Sequence, residues 1–245
     1  MQGLILAGGL ATRLRPLTFV TNKHLLPVYN KPMIYYPVEA MQKAGVKEVL
    51  LTTSGDHVAQ FANLLKSGDE FGMRLYYGVQ QNPKGGIADA IALAEEFTHD
   101  EPLMVILGDN IFNVDLKPIV DAFEKKQEGA VIFGVKTNEN LSQYGIIEID
   151  KSGTVLSIEE KPEKPKSNIA QIGVYIYDHH VFDYIRTLKP SARGELEVTD
   201  LNNIYLSKKQ LACHAIDWWI DAGTSFDELL KANNDVAEMV KEGKL

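Results

Sequence analysis

Four short apolar runs, Leu4–Ala7, Val49–Thr53, Leu103–Leu107 and Val131–Val135, alternate along the chain with helical patterns, and this alternation leaves few ways to fold. The runs read as strands buried on both faces of a parallel sheet. Between them, Leu116, Ile119, Val120 and Phe123 keep the i, i+3, i+4, i+7 spacing of one helix face, and Val58, Phe61 and Leu65 nearly do. The sum is a series of βαβ units, hence an α/β chain. Past residue 140 the pattern changes. Tyr144–Asp150 and Thr154–Glu160 flank the turn signal Lys151-Ser152-Gly153, which predicts an antiparallel hairpin followed by a strand over Gln171–Tyr177. The prolines and charges of Lys161–Ser167 predict a solvated loop. A closing helix is announced by Ser225 with Glu228, a capping box, with Phe226, Leu229, Leu230 and Val240 on its apolar side.

Composition excludes several classes. A chain of 245 residues with 45% hydrophobic and 24% charged residues can bury a core. Its formal charge of −8 argues against a nucleic-acid partner, which calls for a basic face. The single cysteine, Cys213, excludes an internal disulfide and a multi-cysteine metal site, and fits a reducing compartment, so the cytoplasm is the expected location. The opening residues lack a signal-peptide pattern, and no run approaches the roughly 18 apolar residues that span a bilayer. None of the histidines has metal-ligand spacing, and His179-His180 reads as the opening of a surface helix.

The chemistry gathers first around Leu6-Ala7-Gly8-Gly9-Leu10-Ala11-Thr12-Arg13. A buried strand running into two glycines lets backbone N–H groups approach a phosphate chain, and Arg13 adds a planar fork of donors. The run matches neither the dinucleotide fingerprint nor the P-loop. Asp109 follows a strand at its carboxyl end, where open α/β sheets place ligands, and Asp221 ends the run Trp218-Trp219-Ile220. Strand alternation puts Glu160 on the face of Leu156 and Ile158, and Glu159 on the other. Taken singly, these residues also read as a tight turn, turn aspartates, a charged strand end and, for Lys23 and Arg193, surface cations.

Together with Lys23 and Lys31-Pro32-Met33-Ile34-Tyr35-Tyr36-Pro37, the glycine segment resembles the sugar-1-phosphate nucleotidylyltransferases, and among them those that use thymidine nucleotides. The resemblance continues through Leu107-Gly108-Asp109-Asn110, Glu159-Glu160-Lys161-Pro162, Ser191–Asp200 and Trp219–Thr224, in order and over nearly the whole chain. It implies a Rossmann-like, mixed and largely parallel sheet flanked by helices, with a smaller antiparallel sugar-binding sub-lobe. The implied organisation is one domain over 1–245, with a nucleotide-binding half over about 1–140, the sub-lobe over 141–220, and a metal aspartate with the last helix over 221–245. It implies that Leu6, Gly8, Gly9, Thr12, Arg13, Lys23, Gln80, Gly85 and Asp109 contact the nucleotide. Asn110, Gly145, Glu160, Lys161 and Arg193 then contact the sugar phosphate, Asp109 and Asp221 hold Mg²⁺, and Arg13, Lys23 and Lys161 neutralise charge during catalysis.

The implied reaction joins dTTP and glucose 1-phosphate, with no nucleic acid or membrane as partner and room for a homo-oligomer. UTP or CTP as the nucleotide, or another hexose phosphate, is the nearest alternative, since Gln80 cannot tell thymine from uracil. A non-catalytic sugar-nucleotide sensor is a second, opposed by retention of both aspartates, and a hydride-transfer enzyme a distant third. Three departures stand out. Leu10-Ala11 replaces a small residue and glycine, so Ala11 is strained if its φ is positive. Gln171-Ile172-Gly173 replaces Val-Thr-Gly on the sugar-facing strand. The chain also ends soon after the Asp221 helix, which predicts little feedback control of the kind carried by a longer helical tail.

Overall fold

Each apolar run becomes a strand and each amphipathic segment a helix in the computed structural model, which describes residues 1–245. The first part of the chain forms β1 (Gln2–Leu6), β2 (Pro27–Val28), β3 (Lys31–Pro32), α1 (Tyr35–Ala44), β4 (Glu48–Thr53), α2 (Val58–Leu65), β5 (Arg74–Val79), α3 (Ile87–Ala92) and α4 (Glu95–Thr98). The middle part forms β6 (Leu103–Leu107), β7 (Asn110–Phe112), α5 (Lys117–Lys126), β8 (Ala130–Lys136), β9 (Gly145–Ile149), β10 (Val155–Glu160) and β11 (Ile169–Tyr177). The chain closes with α6 (Val181–Thr187), α7 (Val198–Ser207), β12 (Leu211–Ile216), β13 (Trp219–Asp221) and α8 (Phe226–Lys241). The class is the expected one, a mixed sheet flanked by helices with small antiparallel ladders.

Two compact units form: unit A is Gly3–Pro83, Ile106–Val120 and Trp218–Leu245, and unit B is Met1–Gln2, Lys84–Val105 and Asp121–Asp217. Residues 121–140 group with residues 141–217 because β8 pairs with both β11 and β12.

In unit A, β4 runs parallel to β1 on one side and β5 on the other, with Gly3 opposite Val49 and Thr52 opposite Gly78. Leu4, Ile5, Val49 and Leu51 are fully buried, as continuous apolar runs of a two-sided sheet must be. A second ladder pairs β13 with β7, and behind it Val28, Met33, Tyr36, Ile111, Ile220, Ala222, Ala232 and Val236 form one apolar cluster. Burying a side chain the size of Ile220 contributes about 1.5–3 kcal/mol, so the ladder that ends on Asp221 is firmly seated. Helix α8 starts as expected, with Ser225 Oγ accepting from the Glu228 N–H at 3.1 Å. Its apolar side differs from expectation: Phe226 and Leu230 are 45% and 63% exposed, while Ala232 and Val236 are buried and Leu229 and Val240 pack beside them. The small Ala232 lets the helix approach its cluster closely, which turns Phe226 and Leu230 outward.

Unit B is built on β9, β10, β11, β8 and β12. The predicted hairpin forms between β9 and β10, antiparallel, with Gly145 opposite Glu160. Strand β8, read from its apolar run as part of a parallel sheet, is antiparallel to β11 and parallel to β12. The face assignment along β10 also needs correction. The register shifts between Val155 and Ser157, so Leu156 turns out and is 54% exposed, while Ile158 is buried and Glu160 half-buried as expected. His180 precedes α6 and His179 is exposed, again as expected.

Candidate active site

The glycine segment of unit A begins where β1 ends. Gly9 takes φ +94°, and a Cβ on Gly8 would fall 1.8 Å from Gln80 Oε1, so only glycine lets the Gln80 side chain lie across the turn. Gln80 Nε2 donates to the Asn82 carbonyl at 3.2 Å. Ala11 sits in the left-handed region at φ 45°, ψ 39°, just before the single helical turn Thr12–Leu14 that carries Arg13. Its carbonyl accepts from the Leu14 N–H at 3.1 Å and from Thr18 Oγ1 at 2.8 Å, which holds the strained conformation in place. A left-handed alanine costs about 1–2 kcal/mol, and glycine returns part of that as unfolded-state entropy. Ala11→Gly is therefore expected to stabilise the protein by about 0.5–1 kcal/mol, read as a higher urea midpoint at unchanged slope; an unchanged or lower midpoint contradicts the strain.

Next comes the Lys23 turn. Asn22 caps it: Oδ1 accepts from the His24 backbone N–H at 3.0 Å and from His24 Nδ1 at 2.6 Å, while Nδ2 donates to the Ala7 carbonyl at 3.1 Å and Thr53 Oγ1 at 3.2 Å. This network ties the ends of β1 and β4 to the turn. His24 is buried, and burial together with the Lys23 charge lowers its pKa to about 3, so it stays neutral. A Cβ on Gly108 would come within 2.7 Å of the His24 ring. The Gly108 N–H donates to the Leu6 carbonyl at 2.9 Å, which fixes the chain leading into Asp109.

Lys23 Nζ lies 2.5 Å from Asp109 Oδ2 and 3.5 Å from the Gly223 carbonyl. Asp109 Oδ1 accepts from Asn110 Nδ2 at 3.0 Å, and the Asp109 carbonyl accepts from the Ala222 N–H at 2.9 Å, so the residues following β6 and β13 are stitched together. A Cβ on Gly223 would meet Asp109 Oδ2 at 2.7 Å and Lys23 Nζ at 2.8 Å. Burial opposes the charge of every member of this group, with different outcomes. For Lys23 the carboxylates of Asp109 and Asp221 outweigh burial and raise the pKa; for Asp109 the Lys23 ammonium outweighs burial and lowers it. For Asp221, burial and then the Asp109 charge both push the pKa up. One ammonium thus serves two carboxylates, a donor set of hard oxygens one positive charge short, which suits a small divalent cation. No third His, Cys, Asp or Glu joins them, so such a cation takes its other ligands from water or phosphate. Asn110, expected on the sugar phosphate, lies beside Asp109, with Oδ1 accepting from Trp219 Nε1 at 2.6 Å.

A second polar cluster occupies unit B. Glu160 Oε2 accepts from Thr199 Oγ1 at 2.5 Å, and its Oε1 lies 3.3 Å from Arg193 Nη2. The same guanidinium nitrogen is 3.4 Å from Glu195 and 2.8 Å from Glu197. Arg193, expected to clamp phosphate, is thus met by three carboxylates, although desolvation partly opposes its raised pKa. Lys161 takes φ 45° at the end of β10, and its Nζ lies 3.7 Å from Glu160. Gly85 accepts from the Leu196 N–H at 2.8 Å, and Gly86, at φ +91°, leaves no room for a Cβ, which would be 2.5 Å from the Leu196 carbonyl oxygen.

The family model described as nucleotidyl transferase matches residues 2–239. The chain belongs to this family. Among curated nucleotidyl transferases, the glucose-1-phosphate thymidylyltransferase of Actinoplanes is 45% identical over 93% of this chain and 75% of its own length. That of Neisseria gonorrhoeae is 42% identical over 91% and 78%. The crystal structure of a putative glucose-1-phosphate thymidylyltransferase from Bacillus anthracis superposes with a TM-score of 0.89 at 44% identity, covering 96% of this chain and 94% of that one. A UDP-glucose pyrophosphorylase complexed with UDP-glucose gives 0.83 at 26% identity, covering 97% and 98%. Nucleotidyl transferases of this kind generally use a divalent metal, and no helix here is long and apolar enough to cross a membrane. Within this nucleotidyl transferase, residue patterns did not point to Asn22, His24, Trp219, Thr199 or Glu197. Of these only Asn22 left a sequence signal, as a capping residue ahead of a short turn.

Proposed function

We propose that this nucleotidyl transferase condenses dTTP with α-D-glucose 1-phosphate to give dTDP-glucose and pyrophosphate, using Mg²⁺. The observation that carries the reading is the Lys23, Asp109 and Asp221 group, two carboxylates on one ammonium at the carboxyl end of β6, in a chain 45% identical to a glucose-1-phosphate thymidylyltransferase. A phosphate oxygen of the sugar attacks the α-phosphorus of the nucleotide in line, and pyrophosphate leaves. That oxygen is already anionic, so no general base is needed, and catalysis reduces to positioning and charge neutralisation. Gly8, Gly9 and Thr12 offer backbone donors to the triphosphate, Arg13 and Lys23 offer cationic ones, and Gln80 and Gly85 serve the base. Asp109 and Asp221 would hold Mg²⁺, which would supply further neutralisation of the phosphate oxygens. Glu160 and Gly145 serve the hexose and Lys161 its phosphate. Arg193, held beside Glu160 and Glu197, and Asn110, held beside Asp109, contact the sugar phosphate with them.

The test is pyrophosphate release in Mg²⁺ across a matrix of dTTP, UTP and CTP with several hexose 1-phosphates. The expected result is turnover, fastest for dTTP with glucose 1-phosphate. Turnover led by UTP or CTP rejects the nucleotide assignment, and none with any pair rejects the enzyme reading in favour of a sensor.

A further inference from the structure

Gln171 is only 7% exposed, and its side-chain oxygen accepts from Asn202 Nδ2 at 3.1 Å. The orientation of that amide is fixed by a buried relay inside unit B. Tyr177 donates its hydroxyl hydrogen to Asn202 Oδ1 at 2.8 Å, and Asn202 Nδ2 donates to Gln171 Oε1 at 3.1 Å. With the Gln171 oxygen committed to Asn202, its nitrogen must present donors on the opposite side. There it meets Gly145: a Cβ on that glycine would lie 3.6 Å from Gln171 Nε2 and 3.1 Å from Thr199 Oγ1. Thr199 is bonded to Glu160, and Glu160 is the register partner of Gly145 across the hairpin. The absent side chain of Gly145 therefore leaves a space bordered by an alcohol, an amide nitrogen and a nearby carboxylate, a set of groups that matches sugar hydroxyls. The fold uses the oxygen of Gln171, as the acceptor for buried Asn202, and the nitrogen is the part of the amide left to face the Gly145 side.

We propose that Gln171 is a specificity-determining residue that donates a hydrogen bond from its amide to one ring or exocyclic hydroxyl of the hexose, with Asn202 and Tyr177 as positioning residues. This rests on the reading that Glu160 and its neighbours hold the hexose. A site built to pair with a hydroxyl rejects an analogue lacking it, because its own donor is then left unmatched. The experiment measures kcat/KM at saturating dTTP for glucose 1-phosphate and its 2-, 3-, 4- and 6-deoxy analogues, with the native protein and Gln171→Met. The native protein is expected to lose about 5- to 20-fold more on one analogue than Gln171→Met loses on that same analogue, with KM for dTTP equal in the two proteins. Superimposable deoxy profiles overturn the proposal. Gln171→Glu keeps an oxygen for Asn202 and removes the donor, and it takes the place of Gln171→Met, with the same two outcomes, if that variant does not fold. Glu160→Gln in the same series separates the two readings: an unchanged KM for glucose 1-phosphate rejects the hexose site and the proposal with it. A raised KM in Glu160→Gln beside an unaltered profile in Gln171→Met rejects Gln171 alone.

Discussion

Replacing Asp221 with asparagine is expected to cost about 10³-fold in turnover, the loss of several kcal/mol of metal-mediated charge stabilisation, while making the metal-free protein more stable. The two effects share one cause. Asp221 is pushed up in pKa by burial and by Asp109, so the folded state binds its proton more tightly than the unfolded chain does. A carboxyl with that sign of shift is harmless when protonated and becomes a liability as pH rises through its folded pKa. At pH 8 in a chelating buffer the penalty is fully expressed, on the order of 1–3 kcal/mol. Asparagine removes the charge but keeps an oxygen for the Gly223 N–H, which Asp221 Oδ1 accepts from at 3.1 Å. Melting curves from pH 5 to pH 8 should show the advantage of Asp221→Asn growing with pH. Adding Mg²⁺ should stabilise the native protein far more than the variant, since only a ligand bound to the folded state shifts the equilibrium. A variant that melts no higher than native at pH 8 without metal refutes the account of the acidic pair.

The parts of this site differ in how legible they were. The glycine turn could be read because strand, glycines and arginine are contiguous, and the capping of α8 because Ser225 and Glu228 are three residues apart. Lys23, Asp109 and Asp221 share no spacing rule, so their assembly by β6, β7 and β13 emerges only in three dimensions, and only resemblance to a family anticipated it. The exposure of Leu156 was hidden for another reason: a bulge is one residue of register, and alternation alone assigns the wrong face above it. At Ala11 the sequence sets only a condition, strain if φ is positive, and the residue takes φ 45°. The relay from Tyr177 through Asn202 to Gln171 joins β11 to α7, so the sequence marked Gln171 as a departure without indicating which way its amide would point.

Lys23→Met is the complementary case, because it removes the only positive charge that Asp109 contacts within hydrogen-bond distance. Breaking a buried ion pair from one side leaves an uncompensated charge and costs about 3–5 kcal/mol; here the vacated ammonium leaves two neighbouring carboxylates facing each other. The native pair has the opposite sign of pH dependence to Asp221. Lys23 holds Asp109 below the ordinary carboxylate range, so the pair contributes stability above the unfolded pKa of an aspartate and loses it as pH falls through the folded value. In Lys23→Met that contribution is gone, and both carboxyls favour the proton. The stability gap between native and variant should therefore be widest at pH 7–8 in chelator and close as pH falls into the carboxylate range. Mg²⁺ should close it at neutral pH by restoring positive charge to the same oxygens. Activity does not track stability, because the triphosphate still lacks its lysine: turnover of Lys23→Met in saturating Mg²⁺ is expected to stay about 10²- to 10³-fold below native. Urea titrations at pH 5 and pH 8, with chelator and with Mg²⁺, decide it. A gap that is constant across pH and indifferent to Mg²⁺ means that Lys23 supports the fold through packing of its stem and not through its charge.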